Sequence, residues 1–597
     1  MRPKLLVELK RFNNKAKKES WRNYQVFLAT LLSSIRTKQA SDLQHLLFEG
    51  DWPGLVKYAD GIASTEYSSP AEHRLNHQLS AVIRKYPFPE GLLKNDPEGA
   101  AMKIFLASEH QCKRVNQRFT CYRKVRSPYE YDLSMAMSYI KYVLGDLNLS
   151  DVFEDCNFGA GASVGVHGNA TNMARKLLGD KWTVTPGAYD YAKAIMKTDI
   201  HIFELLTKPE GGQYFCLDQN LFNTGFSSRA RIIDYNNIAF VPKTVNVHRT
   251  IAVEPLLNGY LQKGIDSFMR KRLKRVGIDL SDQRPNQVLA REGSLRHLDD
   301  DAWATIDLSS ASDSISIELC RFLLPPDWFD LLNSVRSHSY KLKGEVKTYH
   351  KFTSMGNGFC FPLETLIFAS LCAAAYSKLH LKPDFRVYGD DIIIRKAAFP
   401  HLLSLLKVCG FKVNPKKTFA KGPFRESCGA DYWEGEDVRP IILDYAFESL
   451  ENIFKFCNIS RSKDSWNTIF SESVEFLQTL IPPILKFVRP YGGNADSCLE
   501  VPWDVFMASP YSKYSKKLQC WEWVELEHSA VPDTLAKRFA GYNIALMRGA
   551  LTGVSSPTPF AERFTSRTKL RRVSYDGGWS ITLPGFIAGK VLYYRHM

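Results

Sequence analysis

Phe385-Arg386-Val387-Tyr388-Gly389-Asp390-Asp391-Ile392-Ile393-Ile394 decides how this chain is read. Two short β-prone runs flank a Gly-Asp pair, the signature of a tight hairpin. Backbone hydrogen bonds in such a hairpin fix two adjacent carboxylates at its tip. Apolar strands on both sides imply a buried platform that holds the acids firmly. Adjacent carboxylates at a rigid turn repel one another unless a cation lies between them, and hard oxygen ligands suit magnesium. An ordinary surface turn uses the same pair, since Gly-Asp is a common turn dipeptide. A second acidic motif upstream decides between the two.

That motif is Ala304-Thr305-Ile306-Asp307-Leu308, followed by Ser309-Ser310-Ala311-Ser312-Asp313-Ser314. The apolar run predicts a strand with Asp307 at its end, and the serines with Asp313 suit a helix start. Lys341 to Phe352 reads as a hairpin around Gly344-Glu345, and Ser354-Met355-Gly356-Asn357-Gly358 as a loop. A long apolar helix then runs through Leu363, Ile367, Phe368 and Leu371. After the Gly-Asp-Asp hairpin come a helix over 399–408, a strand at 411–413 and a turn at 414–418. The order predicts an α/β (α+β) fold, a compact antiparallel sheet backed by helices, as in a polymerase palm.

Outside this core, the composition narrows the class. The 597 residues suffice for several domains or one large multi-lobed enzyme. A 45% hydrophobic content with 36 Phe, 27 Tyr and 11 Trp excludes general disorder. A net charge of +15 favours a polyanionic partner, nucleic acid or an acidic membrane surface. The twelve cysteines include no Cys-x-x-Cys pair, and free thiols in a reducing compartment are the simplest reading. Residues 1–10 lack the apolar core of a signal peptide, and 363–376 reads as too short and too polar for a membrane span. The expectation is a soluble protein of the cytoplasm.

Ten Lys or Arg stand against two Glu in the first 38 residues, around Trp21-Arg22-Asn23-Tyr24. Either a basic helix with aromatic anchors on nucleic acid or a solvated helix packed on the body fits this pattern. Residues 40–150 look helical, and the part after 440 looks mostly helical. Gly159, Gly161 and Gly165 permit close approach of a phosphate, or form a structural turn; no P-loop lysine follows. Residues 241–255 predict two strands carrying Lys243 and Arg249 towards a triphosphate. Residues 263–275, with six basic side chains including Lys271 and Arg272, predict a helix that is solvated or faces an RNA backbone.

Nucleotidyl transfer needs an activated 3′-hydroxyl and a neutralised triphosphate, and two divalent ions held by carboxylates from separate elements supply both. Asp307 and Asp390 are the bridging candidates, with Asp391 beside them; Lys416 or Lys417 is the candidate proton donor to pyrophosphate.

These motifs, in this order, resemble those of the levivirus replicases, the catalytic (beta) subunits of the RNA-dependent RNA polymerases of single-stranded RNA bacteriophages. The resemblance runs from about residue 150 to 430. Residues 307–314 resemble polymerase motif A, 354–364 motif B, 388–391 motif C and 414–418 motif D. Residues 241–255 resemble the basic fingers motif, and 277–283 and 422–429 are family-like runs.

The resemblance implies a right hand: residues 1–150 as a basic helical region with outer fingers, 151–300 as fingers, 301–430 as palm, and 431–597 as thumb and C-terminal region. It implies two Mg2+ ions on Asp307, Asp390 and Asp391, with Mn2+ or Ca2+ able to substitute in binding. It implies nucleotide contacts at Lys243, Arg249, Asp313, Ser354, Gly356, Asn357 and Glu364, with Asp313 facing the sugar hydroxyls. It further implies primer-independent copying of a phage RNA in an infected bacterium, with host elongation factors Tu and Ts, the largest small-subunit ribosomal protein and a host RNA-binding factor as partners, and no membrane. Three positions depart from wider viral patterns: Glu364 stands where many have Asn, Cys360 where Thr is frequent, and His248 where a relative has Asp. Two other classes compete. A reverse transcriptase shares the metals, but Gly389 and Asp313 lean towards RNA synthesis. An RNA-binding protein explains the charge but not the paired acids.

Overall fold

The computed structural model describes the chain except residues 1, 64–66, 160, 167–175, 178–180, 208–217, 463–466, 493, 518–519, 533–560 and 576–597. It divides into two units, one of residues 1–95, 440–529 and 566–597, the other of 96–439 and 530–565.

The first unit is built on the helix Arg2–Ser34. Leu5, Leu9, Phe12, Ala16, Asn23, Phe27 and Leu31 recur at helical spacing and are buried. Tyr24 is fully buried and stacks on Tyr86 at 3.5 Å, while Trp21 meets Trp52 edge-on at 4.7 Å. Of the two readings of this segment, the aromatic side chains therefore follow the packing one; Lys15, Lys17 and Lys18 remain on the surface. Beyond residue 440 the helices Leu450–Ser462 and Asn467–Thr479 are joined by strands, among them Cys520–Pro532 and Ala561–Tyr575. The expected helical character of this region is thus incomplete. Trp521, Trp523 and Val524 are aromatic or β-branched, side chains that suit a strand.

His73, on the helix Pro70–Ile83, is buried and stacks on His77 at 3.8 Å. Burial, then the neighbouring His77, lowers its pKa to about 3. The unfolded chain therefore binds the proton more tightly, and stability present above pH 6.5 is lost as pH falls towards 3. Denaturant titrations should show about 1.4 kcal/mol lost per pH unit below 6.5, and His73→Gln should flatten that slope.

The second unit carries the sheet predicted from the Gly-Asp-Asp stretch. Phe385–Tyr388 and Asp391–Arg395 form an antiparallel hairpin, and Trp303–Ile306 pairs with its second strand, Ile392 opposite Ile306. The free side of Trp303–Ile306 is bridged by Phe419: Thr305 and Phe419 exchange backbone bonds of 3.0 and 2.8 Å. Lys412–Val413 pairs with Leu308–Ser309. The helix Phe399–Val408 falls where the sequence puts it.

The helix Cys360–Lys378 is apolar all round and mostly buried, packing on Glu130–Leu144. It is longer than the apolar run read from sequence, and by length and composition alone it could cross a membrane. The correction has a simple cause: Thr365 and Ser370 return their hydroxyl bonds to backbone carbonyls of the preceding turn, so they cost an apolar helix little. A second, four-stranded sheet orders His248–Val253, Tyr235–Pro242, Ser339–Leu342 and Glu345–Thr348. Eleven cysteines fall among the described residues; all are free and ten are buried.

Candidate active site

Gly389 and Asp390 are the two-residue loop of the hairpin. Gly389 has φ +62°, the first-position requirement of a type II′ turn. A Cβ there would lie 2.4 Å from Cε2 of Phe361. The Gly389 N–H donates to Thr365 Oγ1 at 3.0 Å, so the buried 360–378 helix fixes the tip.

The β register brings Asp307 to the step just past the Ile306–Ile392 pair, opposite Asp391. Asp307 is held from the 414–418 turn. Its Oδ2 accepts from Asn414 Nδ2 at 2.8 Å, its N–H donates to Thr418 Oγ1 at 3.3 Å, and its carbonyl accepts from Asn414 N at 2.9 Å. Asp391 Oδ1 accepts from the Cys428 N–H at 3.1 Å and Ser427 Oγ at 3.4 Å. Asn286 reaches the Asp391 carbonyl at 3.3 Å.

Charge accumulates here. Burial raises the pKa of Asp307, and Asp390 adds to the rise while Lys417 and Asn414 oppose it. Burial likewise raises Asp390, against Lys417, Lys243 and Arg249. Asp391 is pushed up to about 6 by burial, Asp390, Glu426 and Asp307, against the Cys428 N–H. These mutual effects place the three carboxylates in one field.

The cations answer them. Lys243 is not on a strand, as expected, but just past Tyr235–Pro242, in the loop to His248–Val253; Arg249 is on the second strand. The connection of five residues, 243–247, closes the hairpin and carries Lys243 out of the ladder. Partial burial of its ammonium, then Arg249 and Lys417, hold Lys243 below the usual lysine range, while Asp307 and Asp390 pull the other way. Lys417 donates to Glu426 Oε1 at 3.1 Å. Burial alone would lower its pKa, but Glu426, Asp307 and Asp391 together raise it. Lys416 bonds through its backbone N–H to Asn414 Oδ1 at 3.2 Å.

The loop 354–358 is pinned from below. The Ala252 N–H donates to the Met355 carbonyl at 2.7 Å, and Gly358 N–H to Gln262 Oε1 at 2.9 Å. Gly356 has φ +109°, and a Cβ would sit 2.2 Å from the Ala252 oxygen. Asn357 is buried and turns its Oδ1 onto the Phe359 N–H at 3.1 Å. Ser354 is buried beside the Tyr349 hydroxyl. Glu364 is buried with Oε2 unpartnered, and burial, then Asp390, pushes its pKa up to about 8, against Ser312. Asp313 lies in the short 3-10 turn Ser312–Ser314, not an α-helix. Cys360 donates to Thr353 Oγ1 at 3.4 Å.

The remaining candidates have other partners. Gly159 and Gly161 turn their carbonyls to the buried Lys176 ammonium. Lys271 pairs with Asp155 at 2.8 Å and Glu154 at 3.2 Å, and Arg272 donates to the Val143 carbonyl at 2.6 Å. Among the described residues none of the four bonds to the three acids. Sequence reading missed Glu426, Asn286 and Thr365 as supports. Asn286 and Thr365 meet Asp391 and Gly389 across long stretches of chain, and Glu426, though only nine residues from Lys417, is marked by no local pattern.

Among the described residues no group of three or more His, Cys, Asp or Glu is close enough to form a ready ligand cage. The donor type does fit a hard divalent ion: carboxylates from a strand end and a hairpin, all raised in pKa first by burial, with Asp390 adding to the rise at Asp307 and Asp391.

The family model of the RNA replicase beta-chain matches residues 49–478. The chain belongs to the RNA replicase beta-chain family. The RNA-directed RNA polymerase subunit beta of Escherichia virus Qbeta is 36% identical over 412 residues, covering 66% of this chain and 64% of that one. The corresponding subunit of Qbeta virus strain MX1 is 32% identical over 522 residues, 85% of this chain and 73% of that one. The beta chain of Enterobacteria phage GA is 38% identical over 320 residues, covering 54% and 56%. The match to the Qbeta replicase subunit thus spans just under two thirds of its length. The replicase family boundaries enclose every candidate site residue named above.

Proposed function

We propose that this chain is an RNA-directed RNA polymerase that copies a phage RNA genome from ribonucleoside triphosphates, starting without a primer. One observation carries the reading: Asp307, Asp390 and Asp391 share one end of a three-stranded sheet and one field with Lys243, Arg249 and Lys417.

In this reading Asp307, Asp390 and Asp391 would hold two Mg2+ ions. When bound, the ions supply charge neutralisation and lower the pKa of the attacking 3′-hydroxyl. The protein supplies the rest. Asn414 and Cys428 hold two of the carboxylates in orientation. Lys243 and Arg249 bind the triphosphate, and Lys417, kept charged by Glu426, protonates the departing pyrophosphate oxygen. Lys416 is the alternative donor. Ser354, Gly356, Asn357, Glu364 and Asp313 surround the nucleotide, and Gly159, Gly161, Lys271 and Arg272 form an outer RNA contact. The right-hand division is part of the proposal, with fingers over 151–300, palm over 301–430 and thumb after 431. So are the host partners, elongation factors Tu and Ts, the largest small-subunit ribosomal protein and a host RNA-binding factor, and the cytoplasm of an infected bacterium.

Material co-purified from a bacterial host should make full-length RNA from template, Mg2+ and ribonucleotides without primer. Products from deoxynucleotides alone would point to reverse transcription, and RNA binding without synthesis would point to a binding protein.

A further inference from the structure

We infer that Lys351 is a positioning residue that sets which sugar the nucleotide site accepts; this rests on the polymerase reading above. Lys351 follows the hairpin of the four-stranded sheet, and its side chain is wholly buried. A buried ammonium persists only with partners. Its Nζ donates to Asp313 Oδ1 at 2.8 Å, lies 3.7 Å from Glu109 Oε1, and sits 3.6 Å from the centre of the Phe105 ring. One cation thus serves two carboxylates and an aromatic face.

The helix Pro97–Tyr122 organises this arrangement along one face. Phe105, Glu109, Cys112 and Asn116 follow at intervals of four, three and four residues. Glu109 Oε2 accepts from the His350 N–H at 2.7 Å, and Asn116 Nδ2 donates to the His350 carbonyl at 2.7 Å. Cys112 Sγ lies 3.5 Å from the Asp313 carbonyl oxygen. The helix therefore grips both backbone groups of His350, next to Lys351, and the turn that bears Asp313.

The consequence falls on one carboxylate. Asp313 Oδ1 is fixed by the lysine, while Oδ2 has no hydrogen bond among the described residues and 17% of the side chain is exposed. The turn Ser312–Ser314 packs on the helix Cys360–Lys378, which carries Glu364 and whose Thr365 accepts from the Gly389 N–H, so Asp313 lies beside the element that fixes the acidic hairpin tip. A carboxylate held by one oxygen presents the other in a set direction to a hydroxyl donor. A ribose offers that donor and a 2′-deoxyribose lacks it. Lys351 does not touch the nucleotide; it aims Asp313.

The test compares kcat and KM for a ribonucleoside triphosphate and its 2′-deoxy counterpart, on full-length chain co-purified from a bacterial host. Lys351→Met should raise the ribonucleotide KM and leave the deoxynucleotide KM nearly unchanged, narrowing the ribose preference about tenfold or more. Asp313→Asn, which keeps the side-chain volume, should narrow it similarly, and the double variant should narrow it little further. If Lys351→Met does not fold, Lys351→Met with Glu109→Gln removes one charge of each sign and gives the same readout. An equal loss for both sugars, or an unchanged preference in Asp313→Asn, overturns the inference and leaves the polymerase reading intact. Failure of the unaltered chain to make RNA overturns the polymerase reading first.

Discussion

Asp390→Asn removes RNA synthesis, by roughly 10³-fold or more, and leaves RNA binding unchanged. The substitution keeps size and shape and removes one negative charge from a field to which Asp307, Asp391 and Glu426 also contribute. Asp390 is in the hairpin loop, where its carboxylate is opposed by Lys417, Lys243 and Arg249. Its neutralisation should also drop the pKa values of Asp391 and Glu364, since Asp390 raises both. The fold should tolerate the change, because the acid opposes its own burial. Gel-shift binding to template beside primer-independent synthesis separates the two outcomes. Retained synthesis would remove Asp390 from the catalytic assignment.

The second large effect is steric. Gly389→Ala places a Cβ 2.4 Å from Phe361 Cε2 and 3.1 Å from Cδ2, at a residue with φ +62°. An L-residue in that left-handed region costs about 1–2 kcal/mol, and the aromatic ring adds a clash. The hairpin tip has to move, carrying Asp390 with it. A displacement of about 1 Å at a reacting centre costs on the order of 10² in rate. Synthesis should fall by about that factor with nucleotide KM less affected. Phe361→Ala in the same chain should restore about tenfold of it by opening space. If the second substitution restores nothing, the loss is backbone strain alone.

The Gly-Asp-Asp hairpin, the strand leading to Asp307 and the helix at 399–408 were legible because each is a local pattern. Apolar alternation, a turn dipeptide and helical spacing act over a few residues, and the sheet agrees with them. Lys243 was placed on a strand because the polar-apolar alternation runs through it; the turn that interrupts the ladder has no Gly to mark it. Trp21 and Tyr24 were ambiguous for another reason. An aromatic beside lysines has the same sequence signature on RNA as against a core, and only the partners Trp52 and Tyr86 decide. The supports of the acids were not legible at all. Glu109 and Lys351, Asn286 and Asp391, and Asp391 and Cys428 meet across long stretches of chain, where neither periodicity nor propensity carries information.

That same spread governs how the molecule is born. Asp391 takes its hydrogen bond from Cys428, and Asp307 takes its own from Asn414. A nascent chain emerging from the ribosome cannot close these contacts until those downstream residues have left the exit tunnel. Until then the strand Trp303–Ile306 has an open edge where Phe419 will bridge it. Fragments that stop before residue 414 therefore present acids without their clasps, and the candidate site closes only after residue 428 has emerged.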